Sequence, residues 1–325
     1  MSHSIFGFDW KKSAAHWLLL TKFLNPLDHN YFSGMEAWES VLGEKPSQSI
    51  KRFVDEGLIG VADLENTLSC KYRLPDLKDL SKQYGLPVSG KKIDLIKRLI
   101  AKDPATMKNS VAALTVLQCL PKGKEMAEKY LTVQVEKRNQ AETQMLEYIE
   151  QGKYRKACLV MSAFEAEQVF PRGMGISWKN YDPDRDVDLL NLIFTSRPKI
   201  LSAVTDNELN ILRIGASMMA LWGVNAAKKW MPADLSLNLP FNNDTAARMV
   251  FFYANHKSQI AHFKENSDII KAVEILTTPD SCDECKKFTG KRYSLDNVPE
   301  LPHEKCTHKY GCRCTLLPVI DLWSE

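Results

Sequence analysis

Five of the eight cysteines fall close together near the C-terminus: Cys282, Cys285, Cys306, Cys312 and Cys314, with His303 and His308 interleaved. The others, Cys70, Cys119 and Cys158, are scattered. Thiolates are zinc's preferred protein ligands, and a structural site takes four of them, or thiolate plus imidazole, in a tetrahedron. Cys282-x-x-Cys285 lets two thiolates face one ion. The spacing therefore predicts a zinc site on Cys282, Cys285, Cys306 and Cys312, with Cys314, His303 or His308 as substitutes for one of them. A site so rich in thiolates leaves no open position for water, which makes the expected zinc structural rather than catalytic. A disulfide framework belongs to small secreted domains. A redox pair at Cys282 and Cys285 would need a βαβ setting that the surrounding sequence lacks.

The second chemical feature is a concentration of charge. Residues 71–103 hold nine Lys and Arg (Lys71, Arg73, Lys78, Lys82, Lys91, Lys92, Lys97, Arg98, Lys102) against Asp76, Asp79, Asp94 and Asp103, so 9 − 4 = +5. The whole chain carries only 43 − 40 = +3. Any polyanion-binding face is thus local. Within the segment, Leu74, Leu77, Leu80 and Tyr84 recur at helical spacing. Gly85 supplies a left-handed stop and Pro87 blocks continuation. Ser89-Gly90 can start a second helix, whose apolar stripe is expected on Ile93, Ile96 and Ile100, flanked by Leu95 and Leu99. The free N–H groups at that helix start favour an anion, and Lys91 and Lys92 add charge there. Lys82, Ser89, Gly90, Lys91, Lys92, Lys97 and Arg98 are accordingly the expected phosphate contacts. Binding of this kind weakens with salt and carries little sequence preference.

Two resemblances add to these readings. Leu77 to Ile100, with Gly85-Leu86-Pro87, Ser89-Gly90-Lys91-Lys92 and Leu95-Ile96-x-Arg98-Leu99, resembles the SAP motif, a helix–extended loop–helix module. That resemblance implies DNA binding. Thr278 to Val319 is similar to the C-terminal end of the Mu F-like minor head proteins of tailed phages. The shared features are Cys282-x-x-Cys285, Gly290, Pro302-His303 and the closing Cys312-Arg313-Cys314-Thr315 with Pro318. Here the chain departs by inserting Cys306 to Gly311 before the closing tripeptide. The second resemblance implies a phage or prophage-derived protein with a structural metal, and portal or capsid proteins as partners.

These features need a scaffold, and 325 residues with 44% hydrophobic and 26% charged composition are enough for two or three ordinary globular domains. The expected fold is mainly α: a helical, bundle-like body, an N-terminal-half helix–loop–helix module, and a small C-terminal zinc knuckle with a β-hairpin about Gly290. Expected boundaries are an aromatic-rich helical segment at 1–65, the basic module at 71–103, a helical middle at 105–276 and the metal motif at 277–325. Helices are expected over Ser49 to Glu56, Glu125 to Gln151, and around 155–168, 187–195, 206–230, 243–255 and 257–276. Strand signals are scarce until after residue 286. The apolar run Ile214 to Ala227 falls short of the ~18 residues of a membrane span and reads as a buried helix. Met1 to Trp10 lacks the pattern of a secretory signal, so a cytoplasmic or virion-associated protein is expected.

Other features point nowhere. Asp182, Asp184, Asp186 and Asp188 alternate as calcium loops do, but Val187 and Ile193 stand where such a loop needs Gly and Glu. The run Phe170 to Gly175 lacks the lysine–hydroxyl pair of a phosphate cradle. His256 and His262, six apart, lie on different helical faces. No catalytic residue is identified. The sequence therefore reads as a DNA-binding protein of phage or mobile-element type with a structural zinc and a potential to self-associate. A DNA-processing enzyme such as a nuclease and a head-morphogenesis protein are the alternatives.

Overall fold

The computed structural model describes residues 9–173, 175–223 and 227–320. Over these residues the fold is mainly helical with two small antiparallel sheets. The chain divides into two compact units, the first ending at Lys137 and the second beginning at Arg138.

The first unit contains helices α1 (Ala14–Lys22), α2 (Glu36–Leu42), α3 (Pro46–Asp55), α4 (Leu64–Lys71), α5 (Leu74–Gln83), α6 (Lys92–Lys102) and α7 (Pro104–Ser110). Helix α8 (Pro121–Glu150) starts here and runs on into the second unit. Strands β1 (Leu27–Asp28), β2 (Ile59–Val61) and β3 (Val116–Cys119) form a sheet in the order β1-β3-β2. These strands are two to four residues long, too short for alternation to show in sequence. They depend on pairing across long separations, such as Leu27 with Leu117. Phe23, Phe53, Leu58 and Leu20 form its fully buried interior. At its edge a polar network closes around Glu44. His16 Nε2 lies 3.1 Å from the Glu44 carboxylate, which also accepts from both Arg52 Nη atoms at 2.8 and 3.0 Å and from Ser49. Hydrogen bonds from Arg52 above all, opposed by burial, hold the Glu44 carboxyl down at about 2.

Helices α4 to α7 share a core of their own: Leu68, Leu77, Leu95, Ile96, Leu99, Met107 and Val111. The α6 stripe is rotated from the expected one. Leu95, Ile96 and Leu99 are buried, whereas Ile93 is 36% exposed. The expectation treated the module as two helices facing each other. In fact α6 is wedged among α4, α5 and α7, so its buried face is the wider 95/96/99 set.

In the second unit, the end of α8 packs with α9 (Tyr154–Ala166), α10 (Asp184–Thr195), α11 (Asp206–Trp222) and α12 (Asn243–Glu265). Helix α11 covers the apolar run to Trp222, starting at a Thr205/Glu208 capping box; Val224, Asn225 and Ala226 lie outside the described residues, as do residues 1–8. Asp184 and Asp186 fall in the first turn of α10, where carboxylates complement the helix dipole. The two helices expected over 243–255 and 257–276 are corrected. One unbroken helix reaches Glu265, and the remainder is strand β4 (Ile270–Leu276). Ile270, Val273 and Ile275 are buried on β4, where branched side chains suit a pleated surface better than a helix.

Strand β4 is the centre of the second sheet, between β5 (Arg292–Ser294) and β6 (Thr315–Ile320). The short helix α13 (Asp283–Lys286) precedes β5. Gly290 does turn the chain at φ +69°, but β5 pairs with β4 rather than with a strand before Gly290, so the expected local hairpin is absent. Of the described residues, no helix is long and apolar enough to cross a membrane.

Candidate nucleic-acid interface and metal centre

Between α5 and α6 the chain makes an exposed loop, Leu86 to Lys91, whose geometry follows from its residues. Gly85 adopts φ +65°, and Leu86 N donates to Ser81 O at 2.8 Å, closing α5 in a Schellman pattern. Pro87 turns the chain out of the helix. Gly90 sits at φ +115°, a conformation closed to other residues at no cost. The first turn of α6 is capped from within, because Lys91 N donates to Asp94 Oδ2 at 2.8 Å.

Of the expected phosphate contacts, several have structural partners. The Arg98 guanidinium donates to the Pro87 carbonyl and, at 2.7 Å, to the Ser89 carbonyl, so it braces the loop. Lys92 Nζ donates to Ser69 O at 2.6 Å and ties α6 to α4. Lys97 stands 3.8 Å from Glu65, and Lys82 3.0 Å from Asp79; both pairs are exposed and weak. Ser89, Gly90 and Lys91 are exposed on the same loop, and the Lys91 ammonium has no ion-pair or hydrogen-bond partner among the described residues. Sequence reasoning identified these residues as charges. That Arg98 and Lys92 also hold backbone carbonyls had no signal in residue type or spacing.

The assignment of this segment follows from outside the chain as well. Residues 71–101 match the SAP domain family. The SAP domain thus spans α5, the loop and α6, and its core is completed by Leu68 of α4 and by Met107 and Val111 of α7. Neither a curated protein nor a solved structure matches the chain.

The metal-ligand candidates come from three pieces of chain. Cys282 is the N-cap of α13 and Cys285 lies within that helix. Cys306 sits in the following loop, its N–H donating to His303 O at 3.0 Å. Cys312 and Cys314 lie just ahead of β6. The loop before them is fixed on α12: Cys312 N donates to Met249 Sδ at 3.3 Å, and Gly311 adopts φ +72° with no room for a side chain.

All five sulfurs converge. Cys282 and Cys306 Sγ are 3.8 Å apart, Cys285 and Cys312 Sγ 3.9 Å. Tetrahedral zinc–sulfur bonds of about 2.3 Å place neighbouring sulfurs about 3.8 Å apart, whereas a disulfide needs about 2.05 Å. All eight cysteines are free thiols. Cys282, Cys285 and Cys306 form one mutually close trio, and Cys285, Cys312 and Cys314 a second. Cys314 is therefore inside the cluster, alongside the four expected ligands. His303 and His308 belong to neither trio. His308 instead faces Arg313 and Asp280, at 3.2 and 3.5 Å, while His303 packs edge-on against Phe288.

In the metal-free cluster the surroundings favour the thiolate at Cys282 and Cys312, whereas hydrogen bonding among the sulfurs and burial favour the thiol at Cys285, Cys306 and Cys314. Burial opposes ionisation of Cys282, but the N–H groups of Cys285 and Thr307 point at its sulfur, and its pKa falls to about 7. Cys312 is driven down by S–H donation from Cys285, Cys306 and Cys314, with the His303 N–H adding to the effect. Main-chain N–H groups aimed at sulfur are what a thiolate-bound cation requires, since they disperse charge that the ion leaves on its ligands. The donor set can thus hold a soft metal ion. Asp280, accepting from Arg313 at 2.6 Å, braces the same loop; neither residue stood out in the sequence.

Proposed function

We propose that the protein binds DNA through its SAP domain and that a zinc–thiolate centre holds the C-terminal segment of the second unit in shape. The observation carrying the first part is the SAP match over a loop whose Ser89, Gly90 and Lys91 face solvent while Arg98 holds its backbone and Lys92 ties α6 to α4. Phosphate oxygens meet Lys91 and the loop backbone at this end of α6, with Lys82 and Lys97 reinforcing the positive field. Contacts of this kind read the backbone more than the bases, so sequence preference is low. The thiolates of the zinc centre would come from Cys282, Cys285, Cys306 and Cys312, with Cys314 beside them. When bound, zinc supplies a cross-link among α13, the loop at Cys306 and the start of β6.

In this reading residues 71–103 act as the DNA-contacting domain of a cytoplasmic protein of phage or mobile-element origin. A second reading, assembly of phage heads beside portal or capsid proteins, rests on the likeness of Thr278 to Val319 to the Mu F-like proteins. Fluorescence anisotropy with duplex DNA over a salt series tests the first reading. Saturable binding that weakens steeply with salt supports it, and absence of binding at low salt overturns it.

A further inference from the structure

The five sulfurs of the cysteine cluster are not arranged as one tetrahedron with a bystander. They form two triangles that share a single vertex, Cys285: the trio with Cys282 and Cys306, and the trio with Cys312 and Cys314, each mutually within 4.8 Å. One four-thiolate zinc would draw four sulfurs to about 3.8 Å from each other along every edge. Here no four of the sulfurs are all mutually within 4.8 Å; the separations of 3.8 Å between Cys282 and Cys306 and 3.9 Å between Cys285 and Cys312 fall one in each triangle. We infer that the cluster binds two zinc ions, one per trio, with the Cys285 thiolate bridging them.

Charge favours this occupancy. One divalent ion with four thiolates buries a net charge of minus two, and a fifth sulfur would stay beside it as a thiol. Two divalent ions with five thiolates bury minus one, and a smaller buried charge costs less desolvation. Cys285, Cys306, Cys312 and Cys314 are all buried, so the difference is felt. Donor positions suit the bridge as well. Cys285 is the one cysteine that belongs to both mutually close trios.

Each ion keeps one coordination position outside the thiolates. In the adjoining loop His303 lies outside both trios. The His303 N–H lies on the Cys312 sulfur, and its ring Nδ1 is buried with no hydrogen-bond partner. Each thiol that ligates releases its proton to the buffer.

The inference rests on the reading that this cluster binds zinc, and the experiment separates the two. Full-length protein, stripped of metal and kept reduced, is titrated with Zn²⁺ and weighed by native mass spectrometry after exchange into a competing chelator. Two retained ions per chain are expected. Cys314→Ser and Cys282→Ser should each retain one ion, and Cys285→Ser none. Titration with Co²⁺ gives an independent signature: a bridging thiolate couples the two spins, so the paramagnetic signal rises with the first equivalent and falls with the second. One tightly held ion in the unmodified protein overturns the two-ion inference and leaves a single zinc standing. No retained ion overturns both, and leaves DNA binding by the SAP domain to its own test. The unmodified protein alone decides the stoichiometry, so a variant that fails to fold does not blunt the result.

Discussion

Arg98 closes over Gly90 at the start of α6: its guanidinium donates to the carbonyl of Ser89 at 2.7 Å, and a Cβ on Gly90 would stand 2.9 Å from Nη2. The loop conformation and the arginine therefore depend on each other. Arg98→Ala releases the Pro87 and Ser89 carbonyls together and should lower DNA affinity severalfold. The accompanying stability loss should be about 1 kcal/mol, since charge-assisted hydrogen bonds at an exposed site are modest. Arg98→Lys should not restore binding, because one ammonium lacks the fork that reaches two carbonyls. Anisotropy and urea denaturation on the same preparations check both statements.

Lys92 and Lys91 are neighbours with different work. The Lys92 ammonium donates to Ser69 O, so Lys92→Ala should cost about 1 kcal/mol in denaturation experiments. Lys91 has no such partner, and Lys91→Ala should leave stability within about 0.5 kcal/mol of the parent. Equal losses in the two variants would contradict this division.

The mainly helical fold, the SAP segment and the convergence of the cysteines were legible in the sequence, because each has a local signature. Gly85-Leu86-Pro87 marks a helix stop within three residues, and Cys282-x-x-Cys285 marks a pair of candidate ligands on one turn. What was not legible depends on partners far along the chain. Strand β4 reads as helix until Thr315 to Ile320 is seen to pair with it. The rotation of the α6 stripe depends on Met107 and Leu68, which lie outside the matched motif. Cys312-x-Cys314 reads as one ligand and one spare, since spacing alone does not show that both sulfurs lie within 4.8 Å of Cys285.

Gly311 holds the metal-site loop against α12. A Cβ there would approach Met249 Cε to 2.6 Å and Thr245 Cγ2 to 2.8 Å, on a backbone at φ +72°. Gly311→Ala should cost roughly 2–3 kcal/mol, combining left-handed strain with overpacking. It should also weaken zinc retention, because Cys312 is the next residue. Thermal unfolding with and without added zinc measures both effects.

The Glu44 network sets an acid limit on the first unit. Its carboxyl is depressed in the folded chain to about 2, against an ordinary value near 4.5. The stabilisation is therefore complete above about pH 4.5 and is lost as pH falls towards 2, on the order of 2 kcal/mol in all. Glu44→Gln should remove that part of the acid dependence. Urea midpoints at a series of pH values between 6 and 2.5, expressed as the difference between parent and variant, would falsify the assignment if the difference stayed constant.

The central claim is that DNA meets this protein at the α6 end of the SAP domain, and the direct measurement is the salt dependence of DNA affinity for the parent and for Lys91→Ala, both zinc-loaded and equally stable. The account predicts that Lys91→Ala binds more weakly and that its log–log salt slope is shallower by about one phosphate contact, roughly 0.9. An unchanged affinity and slope in the folded variant would contradict it and move DNA contact, or the function itself, elsewhere in the chain.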